Sequence, residues 1–128
     1  MTLTTLAGSR ILVVEDEYYL ADEARSILSG MGAEIIGPVP TIQQANAMLL
    51  NNAQIDGALL DVNLRGELVF DLADALQARG VPFAFATGYD SDVLPDRFAD
   101  RLVLGKPVRP DLLVEAFQAM MAKPDSTA

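Results

Sequence analysis

Five short apolar runs punctuate this chain, and each stops abruptly. Arg10-Ile11-Leu12-Val13-Val14 ends at Glu15-Asp16-Glu17, Ala33-Glu34-Ile35-Ile36-Gly37 is closed by Pro38 and Pro40, and Gly57-Ala58-Leu59-Leu60 ends at Asp61. Val81-Pro82-Phe83-Ala84-Phe85-Ala86 ends at Thr87, and Arg101-Leu102-Val103-Leu104 ends at Gly105-Lys106-Pro107. Runs of that length, rich in β-branched and aromatic residues, predict strands buried on both faces of a sheet.

Between the runs the apolar spacing turns helical. Leu20, Ala24, Ile27, Leu28 and Met31 mark a first helix that stops at Gly30 and Gly32. Thr41 with Gln44 three residues on is a capping box opening a second helix through Ala45, Met48 and Leu49, fading at Asn51-Asn52. After an Arg65-Gly66 loop, Leu68, Leu72, Ala73 and Leu76 predict a third, ending at Arg79-Gly80. From Asp90 to Asp100 the spacing is poor and Pro95 interrupts it, so the fourth helix is expected to be short or irregular. Pro110, Leu113, Ala116, Phe117 and Met120 give the last helix its first-turn proline and apolar stripe.

Strands alternating with helices predict an α/β fold, a five-stranded parallel sheet with helices on both faces. Right-handed crossovers leave few topologies, and the doubly wound order 2-1-3-4-5 sets the first and third strands side by side at a switch point. There Glu15, Asp16 and Asp61 would meet.

The chain has 128 residues, a single-domain length. Residues 1–9 and 123–128 read as flexible tails around a unit spanning 10–122. The sequence holds no cysteine, which excludes a disulfide framework and fits a reducing cytoplasm. It holds no histidine either, so any phosphohistidine must come from a partner. With 9 Lys and Arg against 18 Asp and Glu, the net charge of −9 repels nucleic-acid backbones and anionic membranes. No stretch has the length of a membrane span, and residues 1–9 lack the pattern of a signal peptide.

The strand ends supply Glu15, Asp16, Asp61, Thr87 and Lys106. Crowded carboxylates repel one another, and a hard divalent ion relieves them; magnesium favours a few carboxylates with waters and phosphate oxygens. Lys106 adds a point charge for a phosphoryl oxygen, and Thr87 a hydroxyl donor. The set fits phosphoryl transfer onto Asp61 better than glycoside hydrolysis, which would leave Lys106 and Thr87 without a task. Taken singly, each feature has a plainer reading: a helix N-terminal charge cluster for residues 15–17, a solvated lysine, a strand-to-turn exit at Thr87.

With those residues in order, the chain resembles the receiver domain of two-component response regulators (CheY-like, a flavodoxin-like fold) over roughly residues 10–122. The resemblance implies that Asp61 is the phosphoacceptor and that Asp16, Asp61 and the backbone carbonyl of Asn63 hold Mg²⁺, with Glu15 helping through water. It implies that Thr87 is the switch hydroxyl, that Lys106 pairs with the phosphoryl group, and that the Lys106-Pro107 bond is cis. A histidine kinase or histidine phosphotransfer protein would be the donor, and signalling would run through protein contacts or as a phosphate sink. The run Phe83-Ala84-Phe85-Ala86-Thr87-Gly88-Tyr89 is similar to the single-domain FATGUY subset, bacterial proteins of which some serve stress-signalling phosphorelays.

Two positions depart from the commoner pattern: Arg65 stands where many receivers have proline, and Val103 where many carry a switch aromatic. Tyr89, just past the threonine, is then either a gate over the site or simply a loop anchor. The competing expectations are a Mg²⁺-dependent phosphohydrolase with Asp61 as nucleophile, and a receiver-like scaffold that is never phosphorylated. The hydrolase lacks a second acid two residues after Asp61, where Asn63 stands.

Overall fold

The structure is a computed structural model that describes residues 6–52, 54–64, 66–88 and 94–121. Strand β1 (Arg10–Val14) leads into helix α1 (Tyr18–Gly30), then β2 (Glu34–Val39) and α2 (Ile42–Asn51). Next come β3 (Gly57–Asp61), α3 (Phe70–Ala78), β4 (Phe83–Thr87), a 3₁₀ turn (Asp96–Phe98), β5 (Leu102–Gly105) and α4 (Pro110–Met121). The five strands form one parallel sheet in the order β2-β1-β3-β4-β5. This is the doubly wound order that the alternation predicted.

Side chains alternate across the sheet. Leu12, Val14, Ala58, Leu60, Phe83 and Phe85 pack on one face with Leu49 of α2 and Leu72 and Leu76 of α3. Ile11, Val13, Leu59, Ala84 and Ala86 pack on the other with Leu28 of α1 and Leu113 and Phe117 of α4. The small residues Ala84 and Ala86 lie on one face and the phenylalanines on the other, so β4 carries nearly all its bulk toward α3. Thr41 caps α2 as its spacing predicts, its side chain accepting from the Gln44 N–H.

Three features differ from the sequence reading. Residues 6–9, expected to fray, dock against the end of α1: Leu6 is buried, its N–H donates to the Met31 carbonyl, and the Ser9 carbonyl accepts from Glu34. Leu6 packs into the α1–α4 layer and these backbone bonds fasten the segment at both ends. β2 runs on past Pro38, where the register with β1 shifts. Gly37 permits this with φ of +98°, since a Cβ there would meet the Val39 nitrogen at 2.8 Å. Leu68, read as helical, is instead exposed in a two-residue antiparallel ladder that pairs Asn63–Leu64 with Glu67–Leu68; buried Val69 takes the inward place. The expected irregular fourth helix is, among the described residues, the 3₁₀ turn, pinned by Phe98 in a box with Phe70, Phe83 and Phe85.

A candidate phosphoryl and metal site

Register alone gathers the candidate residues. Val14 pairs with Leu60, so Glu15 follows beside Asp61; Asp61 pairs with Ala86, Thr87 follows and pairs with Gly105, and Lys106 comes next. Parallel strands end together, and every one of these groups sits at the carboxyl lip of the sheet, where crossover helices leave a crevice. Backbone bonds fix the lip: the Lys106 N–H donates to the Thr87 carbonyl at 2.9 Å, and the Val62 N–H to the Ala86 carbonyl at 3.0 Å. The Lys106-Pro107 bond is cis.

Glu15 and Asp61 are buried, at 7% and 3% exposure, and Asp16 is half-buried beside them. Each of the three offers a carboxylate oxygen, and these oxygens lie within 4.8 Å of one another. The Lys106 ammonium reaches both buried acids, 3.0 Å from Glu15 Oε1 and 2.8 Å from Asp61 Oδ2. The Glu17 N–H donates to Glu15 Oε2 at 3.0 Å, and the Asn63 N–H donates to Asp61 Oδ1 at 3.3 Å. Glu15 thus makes a direct ion pair with Lys106 that the sequence does not reveal.

The electrostatics are those of an incomplete set. Burial, with the neighbouring Asp61 charge adding to it, pushes Glu15 up to about 7, although the Glu17 amide and Lys106 pull the other way. Asp61 is raised as well, burial outweighing the pull of the adjacent Lys106 ammonium. Burial works against the charged form of Lys106, but the adjacent Asp61 and Glu15 carboxylates outweigh that and raise it. One ammonium thus sits between two buried carboxylates, with Asp16 beside them. Asp61 Oδ2 is sealed from solvent and, despite the nearby ammonium, accepts no hydrogen bond of good geometry. A sealed, under-satisfied oxygen among clustered acids is the donor set that a hard divalent cation fits.

A cleft of about 300 Å³ opens beside the acids, lined by Glu15, Asp16, Tyr18, Pro38 and Pro40 among others. Val103, in the place of the family's switch aromatic, is exposed on β5, while the aromatic bulk lies in the Phe98 box by α3. Tyr89 and Arg65 lie outside the described residues. No helix among the described residues is long and apolar enough to cross a membrane.

The chain matches no protein-family model and no curated protein. Among solved structures it is similar to SdrG from Sphingomonas melonis Fr1, 39% identical over 93% of this chain and 98% of that one, with a TM-score of 0.78. SdrG in its BeF3-activated conformation, there from Pseudomonas melonis Fr1, is 39% identical over 90% of this chain and 98% of that one, with a TM-score of 0.74. A response regulator receiver protein from Burkholderia phymatum shares the fold at 20% identity, covering 91% of this chain and 97% of its own, with a TM-score of 0.77. Near-complete mutual coverage at 39% identity, on a parallel sheet whose strand ends deliver three acids and a lysine to one crevice, settles the family: the chain belongs to the receiver domains of two-component response regulators.

Proposed function

We propose that this receiver accepts a phosphoryl group on Asp61 from a phosphohistidine of a histidine kinase or histidine phosphotransfer protein, and signals by altered protein contacts or drains phosphate from a relay. The observation that carries the reading is the buried, under-satisfied Asp61 Oδ2 beside Lys106 within the acid cluster. An Asp61 oxygen attacks phosphorus, the P–N bond to the donor imidazole breaks, and the electron pair leaves with the ring nitrogen, which takes up a proton. Lys106 holds a positive charge where a phosphoryl oxygen arrives, and Thr87 donates its hydroxyl to another. Mg²⁺, when bound, neutralises the charge that gathers on the transferring group; Asp16, Asp61 and the Asn63 carbonyl would hold it, with Glu15 through water.

Activation of the 39% identical SdrG by BeF3 supports the same chemistry here, because that group imitates a phosphoryl on a carboxylate. The likeness of the Phe83–Tyr89 run to the single-domain FATGUY subset supports a role in bacterial stress signalling, with Tyr89 as a gate over the site. The hydrolase reading is disfavoured by Asn63, which supplies no second carboxylate and whose side-chain oxygen accepts from the Gly66 N–H. Intact mass after incubation with Mg²⁺ and a small phosphodonor, acetyl phosphate, tests the proposal. One base-labile phosphoryl adduct is expected; steady phosphate release without an adduct overturns it.

A further inference from the structure

The loop after Asp61 is tied by a side chain that the chemistry above does not use. Asn63 is exposed, so its substitution opens no hole in the core. Its Oδ1 accepts the Gly66 N–H at 2.7 Å, closing a turn in which Gly66 takes φ of +93°. The turn caps the short ladder in which Asn63 pairs with Leu68, and the ladder is fastened at its base by the Val69 N–H donating to the Val62 carbonyl at 3.1 Å. The same residue's backbone N–H faces the site and donates to Asp61 Oδ1. One residue therefore joins the two ends of the device: its side chain locks the loop outside, and its backbone meets the carboxylate inside.

We infer that Asn63 is a positioning residue for the Asp61 site: through its side-chain bond to Gly66 it fixes the backbone of residue 63 before any ligand arrives. The inference rests on the proposed metal and phosphoryl chemistry. Without the bond, the loop must be ordered at the moment of binding, and that cost appears as lost affinity rather than lost fold. A serine hydroxyl makes the same kind of turn more weakly and adds no charge, whereas alanine makes none.

The test is calorimetric titration with Mg²⁺ of wild type, Asn63→Ser and Asn63→Ala, with amide exchange at Gly66 and thermal melts of the metal-free proteins. Asn63→Ala is expected to raise the Mg²⁺ Kd about 5-fold, the worth of one net hydrogen bond. Asn63→Ser should fall between the two, and Gly66 exchange should quicken in the same order, with metal-free melting temperatures lowered by no more than about 2–5 °C and the melts still cooperative. An Asn63→Ala Kd equal to wild type overturns the inference, as does a change in Kd with Gly66 still protected. Failure of wild type to bind Mg²⁺ overturns it too. Wild type that binds Mg²⁺ yet forms no adduct with acetyl phosphate overturns the proposed phosphoryl chemistry instead and leaves the Kd comparison to decide the role of Asn63.

Discussion

Lys106 Nζ lies 2.8 Å from Asp61 Oδ2, although α3, β4, a 3₁₀ turn and β5 lie between them in the chain, and it is shared with Glu15 at 3.0 Å. The site without metal is a triangle of two buried acids and one ammonium, with Asp16 at its edge. Its stability is accordingly a matter of charge balance.

Removing one crowded acid should relieve the fold. Asp61→Asn in metal-free buffer should melt about 2–5 °C above wild type, because the residue held unfavourably ionised by burial is gone while Lys106 keeps Glu15. Differential scanning calorimetry in EDTA reads this directly. Equal or lower melting would mean that the acids do not repel.

The pH dependence has a definite sign. Glu15 ionises near 4.5 ordinarily and near 7 in the fold, so between those values the folded state binds more protons than the unfolded one. Stability from this group is fully present below about pH 4.5 and lost as pH rises through about 7; Asp61, also raised, adds in the same direction. The exposed pairs Asp74–Arg97 and Asp111–Arg109 lower their carboxyls below 3.8, so their contribution changes only at more acidic pH. The metal-free Tm should therefore fall from pH 5 to pH 8, and Glu15→Gln should flatten the fall.

Magnesium should reverse that trend. At 100 times its Kd a ligand specific for the folded state adds about 2.7 kcal/mol, raising Tm by mass action. Binding at pH 6 should also release protons, since Glu15, pushed up to about 7 by burial, must ionise beside the ion. Titrations in buffers of different ionisation enthalpy measure the release, and Asp61→Asn should abolish most of both effects.

The aromatic box should matter to stability alone. Phe98 is fully buried against three other rings, so Phe98→Ala should cost about 3–5 kcal/mol. Its neighbour Arg97 pairs with Asp74 in the open, and Arg97→Ala should leave the melting temperature nearly unchanged. Chemical denaturation of the two variants makes the comparison.

The sheet was legible because its signal is local and repeated: β1, β3 and β4 are short buried runs that any parallel sheet needs, and each stops at a polar group. The site was legible for the same reason, since a fixed strand order converts four separated strand ends into one crevice. What the sequence did not carry depends on contacts between distant residues. Nothing in Leu6 announces that its side chain reaches the α1–α4 layer. Nor does Leu68, which continues the apolar spacing of α3, show that an Asn63–Gly66 turn holds it out of the helix. The direct Lys106–Glu15 pair is likewise a product of register, invisible in either motif.

The account stands on Asp61 as the phosphorylated group, and chemical mapping tests it most directly. The protein is incubated with Mg²⁺ and acetyl phosphate, reduced with borohydride, which converts an aspartyl phosphate to homoserine, and sequenced by mass spectrometry. The predicted result is homoserine at position 61 alone, absent from Asp61→Asn and from protein treated with EDTA. Modification at Asp16 or Glu15 with position 61 unchanged, or no modification anywhere, would contradict it.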